Sequence, residues 1–169
     1  MGVMNWPLLS LVVWLPILVG SVLLFVPEAR TSLGRGLALV ASLAALALSL
    51  VLLGGFELGT AAYQFEEKTT WIKAFDIHYH LGVDGFSLPL IALTALTTVL
   101  VVIAAGSVKT RVNQYLGAFL ILSGLMSGMF AALDAMLFYV FFEAMLVPMF
   151  LIIGIWGGPN RIVATIKFF

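Results

Sequence analysis

Long apolar stretches alternate with short polar segments along this chain of 169 residues. Four of the five long stretches carry no charged side chain, and the fifth carries one, Glu143. An α-helix needs about 20 apolar residues to cross a hydrocarbon core about 30 Å thick, and such runs are too long for barrel strands. The pattern therefore predicts five complete transmembrane helices, at residues 7–26, 36–56, 85–108, 112–133 and 135–156.

A further apolar stretch begins at residue 162 and continues to Phe169. Eight helical residues rise about 12 Å, which is too short to cross a bilayer. We expect the start of a sixth helix, within a single membrane domain (residues 1–169) that is the N-terminal part of a longer protein. A natural end that lies in the membrane interface is the alternative.

The long segment between the second and third helices has a different period. From Ala74 to Asp84 apolar and polar residues alternate, which is typical of a half-buried strand. We expect a short β-strand there, in a hairpin with residues near Tyr63–Phe65. The predicted fold class is thus an all-α integral membrane protein with a strand or hairpin in the helix 2–3 loop.

Basic residues are unevenly divided between the two predicted membrane faces. The first, third and fifth loops and the start of the sixth helix hold most of them, whereas the second loop holds two that are diluted by acids. Because Lys and Arg favour the cytoplasmic side, we expect the N-terminus and the even loops on the periplasmic side or its equivalent. The basic residues of the odd loops and the sixth helix are Arg30, Arg35, Lys109, Arg111, Arg161 and Lys167; those of the second loop are Lys68 and Lys73.

Composition narrows the functional classes. Apolar residues make up 63% of the chain and charged residues 9%, with zero net charge and no Cys. A neutral chain lacks the clustered basic residues of a nucleic-acid-binding protein. The absence of Cys excludes disulfides and Cys-ligated zinc or iron–sulfur sites on this chain.

Glu143 is the candidate for chemistry, because it lies near the middle of the fifth predicted helix. An ionised acid at a helix centre costs roughly 2.5–3.5 kcal/mol on insertion scales, so such residues usually face a protein interior or a hydrated path. A proton or ion relay is the functional interpretation. A neutral structural acid, hydrogen-bonded between helices, is the alternative.

Three other residues are candidates for assisting Glu143. Tyr139 lies one turn earlier on the same face, where its hydroxyl is within reach of the carboxyl, or it only packs. Pro148 breaks the helical hydrogen bond to the carbonyl of Ala144, or only kinks the helix. Lys167 is a candidate for the proton path, or it extends its ammonium group to the interface.

Other polar features have structural interpretations. His78 and His80 share one strand face, but no third metal ligand is evident, so we predict no metal site. Small residues recur every four positions at Gly124, Gly128 and Ala132 of the fourth predicted helix, which predicts close helix packing. Asp134 precedes the fifth helix and is expected to cap it.

Two runs of residues resemble a known family. The first is Phe138–Gly158, FYVFFEAMLVPMFLIIGIWGG, followed by Arg161 and by Lys167-Phe-Phe, and the second is HLGVDGFS, which begins at His80. Both resemble the antiporter-like chain M (mitochondrial chain 4) family of the proton-pumping NADH:quinone oxidoreductase, respiratory complex I. The resemblance extends over essentially the whole chain.

The resemblance implies a proton-translocating membrane subunit of this enzyme, in a bacterial or mitochondrial inner membrane. It implies that Glu143 transfers protons, that its partner lysine lies beyond Phe169, and that Lys167 matches a lysine of the family's sixth helix. It implies no cofactor on this chain, with FMN, Fe–S clusters and quinone on other subunits. The expected partners are lipid and other membrane subunits, especially two neighbouring antiporter-like chains, with no nucleic acid.

Two alternatives stay open at this point. A subunit of a multi-chain monovalent-cation/proton antiporter, or of a membrane-bound hydrogenase, has the same kind of intramembrane acid. A purely structural membrane scaffold is the second alternative, and there Glu143 would be a packing residue that does not change protonation.

Overall fold

The computed structural model describes residues 7–169 and contains six α-helices and one two-stranded sheet. The helices are α1 (Leu8–Phe25), α2 (Thr31–Gly54), α3 (Ser87–Ala104), α4 (Val112–Ala131), α5 (Ala135–Trp156) and α6 (Arg161–Phe168). The first five are long and apolar enough to cross a membrane. The predicted membrane fold is confirmed.

The helix bounds follow the predicted stretches with two informative differences. The second helix begins at Thr31 rather than at residue 36, and the third ends at Ala104 rather than at residue 108. Arg35 explains both differences. The residue belongs to α2, and its guanidinium donates to the carbonyl oxygens of Ala105 and Val108, just after the end of α3, at 3.1 and 3.2 Å. A charge that marks the edge of the apolar run therefore does not mark the end of the helix.

The hairpin is longer than predicted. Strand β1 (Gln64–Ile72) pairs antiparallel with β2 (Ile77–Val83), and a 3-10 turn over Lys73–Phe75 joins them. The predicted strand from Ala74 was wrong at its start, because Asp76 adopts a left-handed conformation (φ 53°) that ends the alternation. Phe75 consequently lies in the turn and is exposed.

Helix α4 lies at the centre of the bundle and packs against α1, α2, α3 and α5. Small residues allow this close packing. A Cβ atom on Gly124 would lie 2.5 Å from the carbonyl oxygen of Val13 in α1, and one on Gly128 would lie 2.8 Å from the ring of Phe141 in α5. The predicted role of these glycines in helix packing is confirmed, but Ala132 was wrongly included, because α4 ends at Ala131 and Ala132 is extended and pairs with Leu81 of β2.

The hairpin lies across the ends of the bundle, on the membrane face where α1 and α5 begin. The N–H of Leu133, between α4 and α5, donates to the carbonyl oxygen of His80 at 2.8 Å. Leu81 and Val83 of β2 are fully buried and belong to the same apolar cluster as Leu137 of α5. Strand β2 is therefore fixed to the bundle along its length.

Candidate functional site

Helix α5 carries the candidate acid. Its N-terminus is capped by Asp134, whose carboxylate accepts from the backbone N–H of Met136 at 2.9 Å and of Leu137 at 3.2 Å, as predicted. Leu137, Phe141 and Pro148 are the buried residues of this helix. Glu143 lies on its other side and is exposed within the described residues. It is the only acidic side chain in the five membrane-spanning helices of residues 7–169.

Tyr139 and Glu143 lie together on this exposed side of α5. The tyrosine is 56% exposed, and its hydroxyl is close enough to interact with the Glu143 carboxyl. Spacing of four residues on a helix places the two side chains one above the other. The structure thus brings this candidate pair together on a face that no described residue covers.

Pro148 lies on the opposite side of α5 from Glu143. The helix continues through it to Trp156, so the proline removes one hydrogen bond without ending the helix. Pro148 and Ala144 line an apolar cavity of about 330 Å³ between α5 and α4, together with Ile121 and Leu125. The structure therefore separates the proline from the acid.

Lys167 lies in the last turn of α6 and is exposed. The ring of Phe169 packs on Phe150 of α5, with 5.3 Å between centroids. Phe150 is seven residues beyond Glu143, which is about 10 Å along the helix axis. No ion pair joins Lys167 to Glu143 among residues 7–169.

A hydrogen-bonded chain that the sequence analysis missed joins the hairpin to α1. The Glu67 carboxylate accepts from the backbone N–H of Ser10 at 3.0 Å and from its hydroxyl at 2.7 Å. The Ser10 hydroxyl lies 2.8 Å from that of Tyr79, to which the indole N–H of Trp14 donates at 3.0 Å. Because indole only donates and a carboxylate only accepts, the chain runs from Trp14 through Tyr79 and Ser10 to Glu67.

The sequence holds a signal for this contact. Pro7 occupies the N-cap position of α1 and has no side chain that can accept a hydrogen bond. The first backbone N–H groups of a helix need acceptors, and an anion is favoured at this end by the helix dipole. An uncapped α1 next to a strand with two adjacent acids therefore indicates a cap supplied from elsewhere in the chain, and Glu67 supplies it.

Asp134 makes a second carboxylate connection to the hairpin. It caps α5 and also accepts from the backbone N–H of His78 in β2 at 3.0 Å. The hydrogen bond from the His78 N–H has the largest effect on the pKa of Asp134. Together with the N–H groups of Leu137 and Met136, it holds this pKa below its ordinary value, although desolvation acts in the opposite direction. The contact therefore stabilises the folded state most when Asp134 is ionised.

The two histidines each contact one carboxylate. The Nε2 atom of His78 lies 2.9 Å from Asp76, and that of His80 lies 3.2 Å from Glu66. The described part of the chain contains no group of three side chains that could hold a metal ion. The histidines thus belong to the polar surface of the hairpin.

The opposite membrane face has cations at helix ends. Arg35 donates to carbonyl oxygens at the end of α3, and Arg161 donates to that of Ile155 near the end of α5, at 3.3 Å. Carboxylates at helix N-termini on one face and guanidinium groups at C-termini on the other both match the helix dipoles. Four of the charged residues thus fix helix ends on the two faces, whereas Glu143 lies in the middle of a helix and makes no such contact.

Comparison with known proteins identifies relatives that are similar to almost the whole chain. The chain is 46% identical over 166 residues to NADH-quinone oxidoreductase subunit M of Rhodobacter capsulatus, an alignment that covers 96% of this chain and 32% of the relative. It is 41% identical over 163 residues to NADH-ubiquinone oxidoreductase chain 4 of Arabidopsis thaliana, covering 95% of this chain and 33% of the relative. This chain is a homologue of part of subunit M.

The resemblance seen in the sequence is thereby confirmed. The chain spans about a third of the length of the relatives it matches. No protein-family model matches the chain. Together with its five apolar helices, the similarity shows that it is an integral membrane protein.

Solved structures show the same fold. One chain in the structure of respiratory complex I from Thermus thermophilus with bound NADH matches with a TM-score of 0.77 and 30% identity, over 93% of this chain and 31% of that chain. A chain of the archaeal membrane-bound sulfane sulfur reductase matches with a TM-score of 0.73 and 18% identity, over 96% of this chain and 33% of that chain. The second likeness shows a shared fold alone.

Proposed function

We propose that this chain is part of a proton-translocating membrane subunit of an NADH:quinone oxidoreductase. The names of its relatives and the respiratory complex I structure that it matches support this activity for the whole protein. Its partners would be other membrane subunits, especially two neighbouring antiporter-like chains. FMN, iron–sulfur clusters and quinone would be bound by other subunits; for the clusters, residues 1–169 offer no Cys ligand.

The observation that carries the proposal is the position of Glu143. It is an acid in the middle of a membrane-spanning helix, on a face that the described residues leave uncovered. In contact with lipid, the ionised form of Glu143 would be destabilised by several kcal/mol, as insertion scales indicate. We therefore infer that further protein covers this face of α5 in the complete subunit.

A partner cation would make Glu143 a switch. A lysine from a segment beyond Phe169 would favour the ionised carboxylate when it is close, and its loss or neutralisation would favour protonation. Tyr139 would donate to the carboxylate from the same face of α5. Lys167, on α6 beside Phe150, would lie further along the proton path.

The experiment compares Glu143→Gln, Glu143→Asp and Glu28→Gln in the complete subunit within its complex. The glutamine variant should assemble but lose most proton pumping and coupled quinone reduction, because it cannot exchange a proton. The aspartate variant should retain part of both. Glu28, an exposed acid outside the helices that cross the membrane, is the matched control and should pump normally. Normal pumping by an assembled glutamine variant would exclude the role.

Affinity purification distinguishes the proposed function from the alternative functions. If the complete subunit belongs to an NADH:quinone oxidoreductase, flavin and iron–sulfur proteins should co-purify with it. Recovery of other membrane chains alone would instead identify a cation/proton antiporter. A structural scaffold would be indicated if Glu143→Gln had no effect on any transport activity.

The proposed orientation has a direct test, because the natural chain has no Cys. We propose that the hairpin face is periplasmic, or its mitochondrial equivalent. A single cysteine at Phe75, which is 76% exposed in the hairpin turn, should react with an impermeant maleimide from that side. A cysteine at Lys109, in the α3–α4 loop on the other face, should react only after permeabilisation. The reverse pattern would invert the topology.

A further inference from the structure

The hydrogen-bonded chain between α1 and the hairpin has a single direction. The Ser10 hydroxyl donates to the Glu67 carboxylate at 2.7 Å, so its oxygen accepts from the Tyr79 hydroxyl at 2.8 Å. The Tyr79 oxygen in turn accepts from the indole of Trp14, which can only donate. Two hydroxyl protons therefore point in series toward one carboxylate, and a proton added at Tyr79 can reach Glu67 by exchange along these hydrogen bonds.

The chain borders a cavity of about 510 Å³ that lies under the hairpin, between α1 and α5. Tyr79 and Trp14 belong to its wall, and Thr69 and Thr70 of β1 line it at the level of the sheet. A water molecule occupies about 30 Å³ in the liquid, so the cavity has room for several. The Tyr79 oxygen has two lone pairs and accepts one hydrogen bond from Trp14, which leaves one lone pair for a water molecule.

The far wall of this cavity belongs to α5 and comes close to Glu143. It consists of Leu137, Val140 and Phe141. Val140 is three residues before Glu143, so the two side chains are neighbours on the helix surface, with about 5–6 Å between their Cβ atoms. Helical side chains also tilt toward the N-terminus, which directs the Glu143 carboxyl toward Tyr139 and the hairpin face. The cavity therefore lies between the intramembrane acid and the hydrogen-bonded chain.

We propose that Glu67 receives the proton that leaves Glu143 and releases it at the hairpin face. This inference rests on the proton transfer proposed for Glu143. Water in the cavity carries the proton to the Tyr79 oxygen, while the Tyr79 proton moves to Ser10 and the Ser10 proton moves to the Glu67 carboxylate. The carboxylic acid then gives its proton to the aqueous phase, and the hydroxyl groups rotate back. One proton enters and one leaves, so no other reactant is needed.

The apolar part of the cavity wall keeps this path from conducting continuously. Val140 and Phe141 offer no hydrogen bond to water, and apolar constrictions in membrane proteins interrupt conduction when they lose their water. Val140 is 39% exposed and lies between the buried side of α5 and Glu143. Brief hydration of this apolar stretch passes a proton, and its drying separates Glu143 from the chain between transfers.

Proton pumping by the complete subunit within its complex tests the role of Glu67. Glu67→Gln can still accept from Ser10 through its amide oxygen, so it keeps a cap on α1 but cannot take up a proton. Tyr79→Phe interrupts the chain and leaves both hydrogen bonds between Glu67 and Ser10 in place. In each assembled variant, pumping should fall roughly tenfold or more, the lower end for a positioned proton-transfer group that water can partly replace.

The order of two variants separates proton transfer from simple capping. Glu67→Asp restores a group that can take up a proton but shortens the side chain, so it should pump faster than Glu67→Gln. A residue that only caps α1 would give the reverse order, because glutamine keeps the length of the side chain. Glu57→Gln, at an exposed acid on the same membrane face, and Tyr63→Phe, at a tyrosine that is 50% exposed, are the matched controls and should pump normally.

Normal pumping by assembled Glu67→Gln and Tyr79→Phe would overturn the proposal, as would faster pumping by Glu67→Gln than by Glu67→Asp. Glu143→Gln, measured in parallel, shows which inference has failed. If it abolishes pumping while the Glu67 and Tyr79 variants pump normally, protons leave Glu143 by another route. If it pumps normally as well, the proton transfer proposed for Glu143 is itself excluded.

Discussion

Helices α4 and α5 follow each other in the chain, and both are long enough to cross a membrane, but they have opposite environments. In the apolar stretch of α4, 56% of residues are buried within the described structure, against 17% for α5. The less apolar helix is the more buried one. Hydropathy therefore identifies both as membrane helices without showing which lies at the centre.

Side-chain size explains the difference. Gly117 and Gly124 bring α4 against the backbone of α1, and Gly128 accommodates the ring of Phe141. In membranes such small residues favour helix association, because lipid supplies little hydrophobic driving force between helices. Helix α5 packs through a few residues and keeps Glu143 on its free side. The comparison separates a helix that holds the bundle together from one that carries the proposed proton-transfer residue.

The largest effect on stability is expected from a methyl group at Gly124. Gly124→Ala places a Cβ atom against the Val13 carbonyl oxygen of α1, at 2.5 Å without relaxation, so α4 and α1 must move apart. Overpacking of this kind costs about 1–3 kcal/mol. We expect a lower thermal transition and a lower yield of folded subunit, measured by size-exclusion chromatography after heating.

Gly154→Ala in α5 is the matched control for this change. A Cβ atom there would lie 3.4 Å from the hydroxyl of Thr165, which is an ordinary contact. The thermal transition should move little. Equal destabilisation by the two alanines would contradict the assigned difference between the helices.

A smaller effect is expected at Asp134, where α5 begins. Asp134→Ala removes the cap of α5 and the acceptor for the His78 N–H, so amides of β2 should exchange with deuterium several-fold faster at neutral pH. Asp76→Asn, which removes the carboxylate beside the His78 ring and keeps a residue type that tolerates the left-handed backbone, is the control and should leave exchange nearly unchanged. Unchanged exchange in Asp134→Ala would refute the connection.

The same contact predicts a pH dependence. The pKa of Asp134 is lowered in the folded state, so its stabilising effect is complete above the ordinary aspartate pKa and is lost as the pH falls through the lowered value. Asp84 behaves similarly, since the N–H of Ser87 has the largest effect in lowering its pKa. Exchange of the β2 amides, corrected for intrinsic rates, should therefore accelerate in acid for the natural chain and less so for Asp134→Ala.

The smallest effect is expected on the exposed side of α5. Tyr139→Phe removes one hydroxyl beside Glu143 while keeping the ring, and the hydrogen bond proposed between them would change rates roughly two- to tenfold. Proton pumping by the complete complex should fall by that amount, far less than in Glu143→Gln. Phe142→Leu, at an exposed neighbour, is the control. A loss as complete as that of Glu143→Gln would make Tyr139 an obligatory proton carrier.

Much of the fold could be predicted because apolar length and period are properties of the chain itself. The five helices and β2 follow from them, and the cap at Asp134 follows from residue type. The extent of β1 could not be predicted, because Gln64–Ile72 lacks a regular alternation and becomes a strand through pairing with β2. The Glu67–Ser10 contact joins residues far apart in sequence: Pro7 indicates that α1 needs an acceptor from elsewhere, but local patterns do not identify Glu67 as that acceptor.

The candidate site was only partly predictable for the same reason. The sequence places Tyr139 beside Glu143, since both belong to one helix, and the structure agrees. Five helical positions place Pro148 about 140° around the axis from Glu143, and the packing of α5 on α4 decides that the proline is the residue that faces the bundle. The proposed cation partner of Glu143 is not found among residues 7–169.

The protonation of Glu143 during turnover tests the central claim most directly. Infrared difference spectra of the complete complex, recorded with and without NADH and quinone, report protonated carboxyl groups. We predict a carboxyl band that changes during turnover and is absent from Glu143→Gln. Identical difference spectra for the natural chain and the assembled variant would show that Glu143 keeps one protonation state and does not transfer protons.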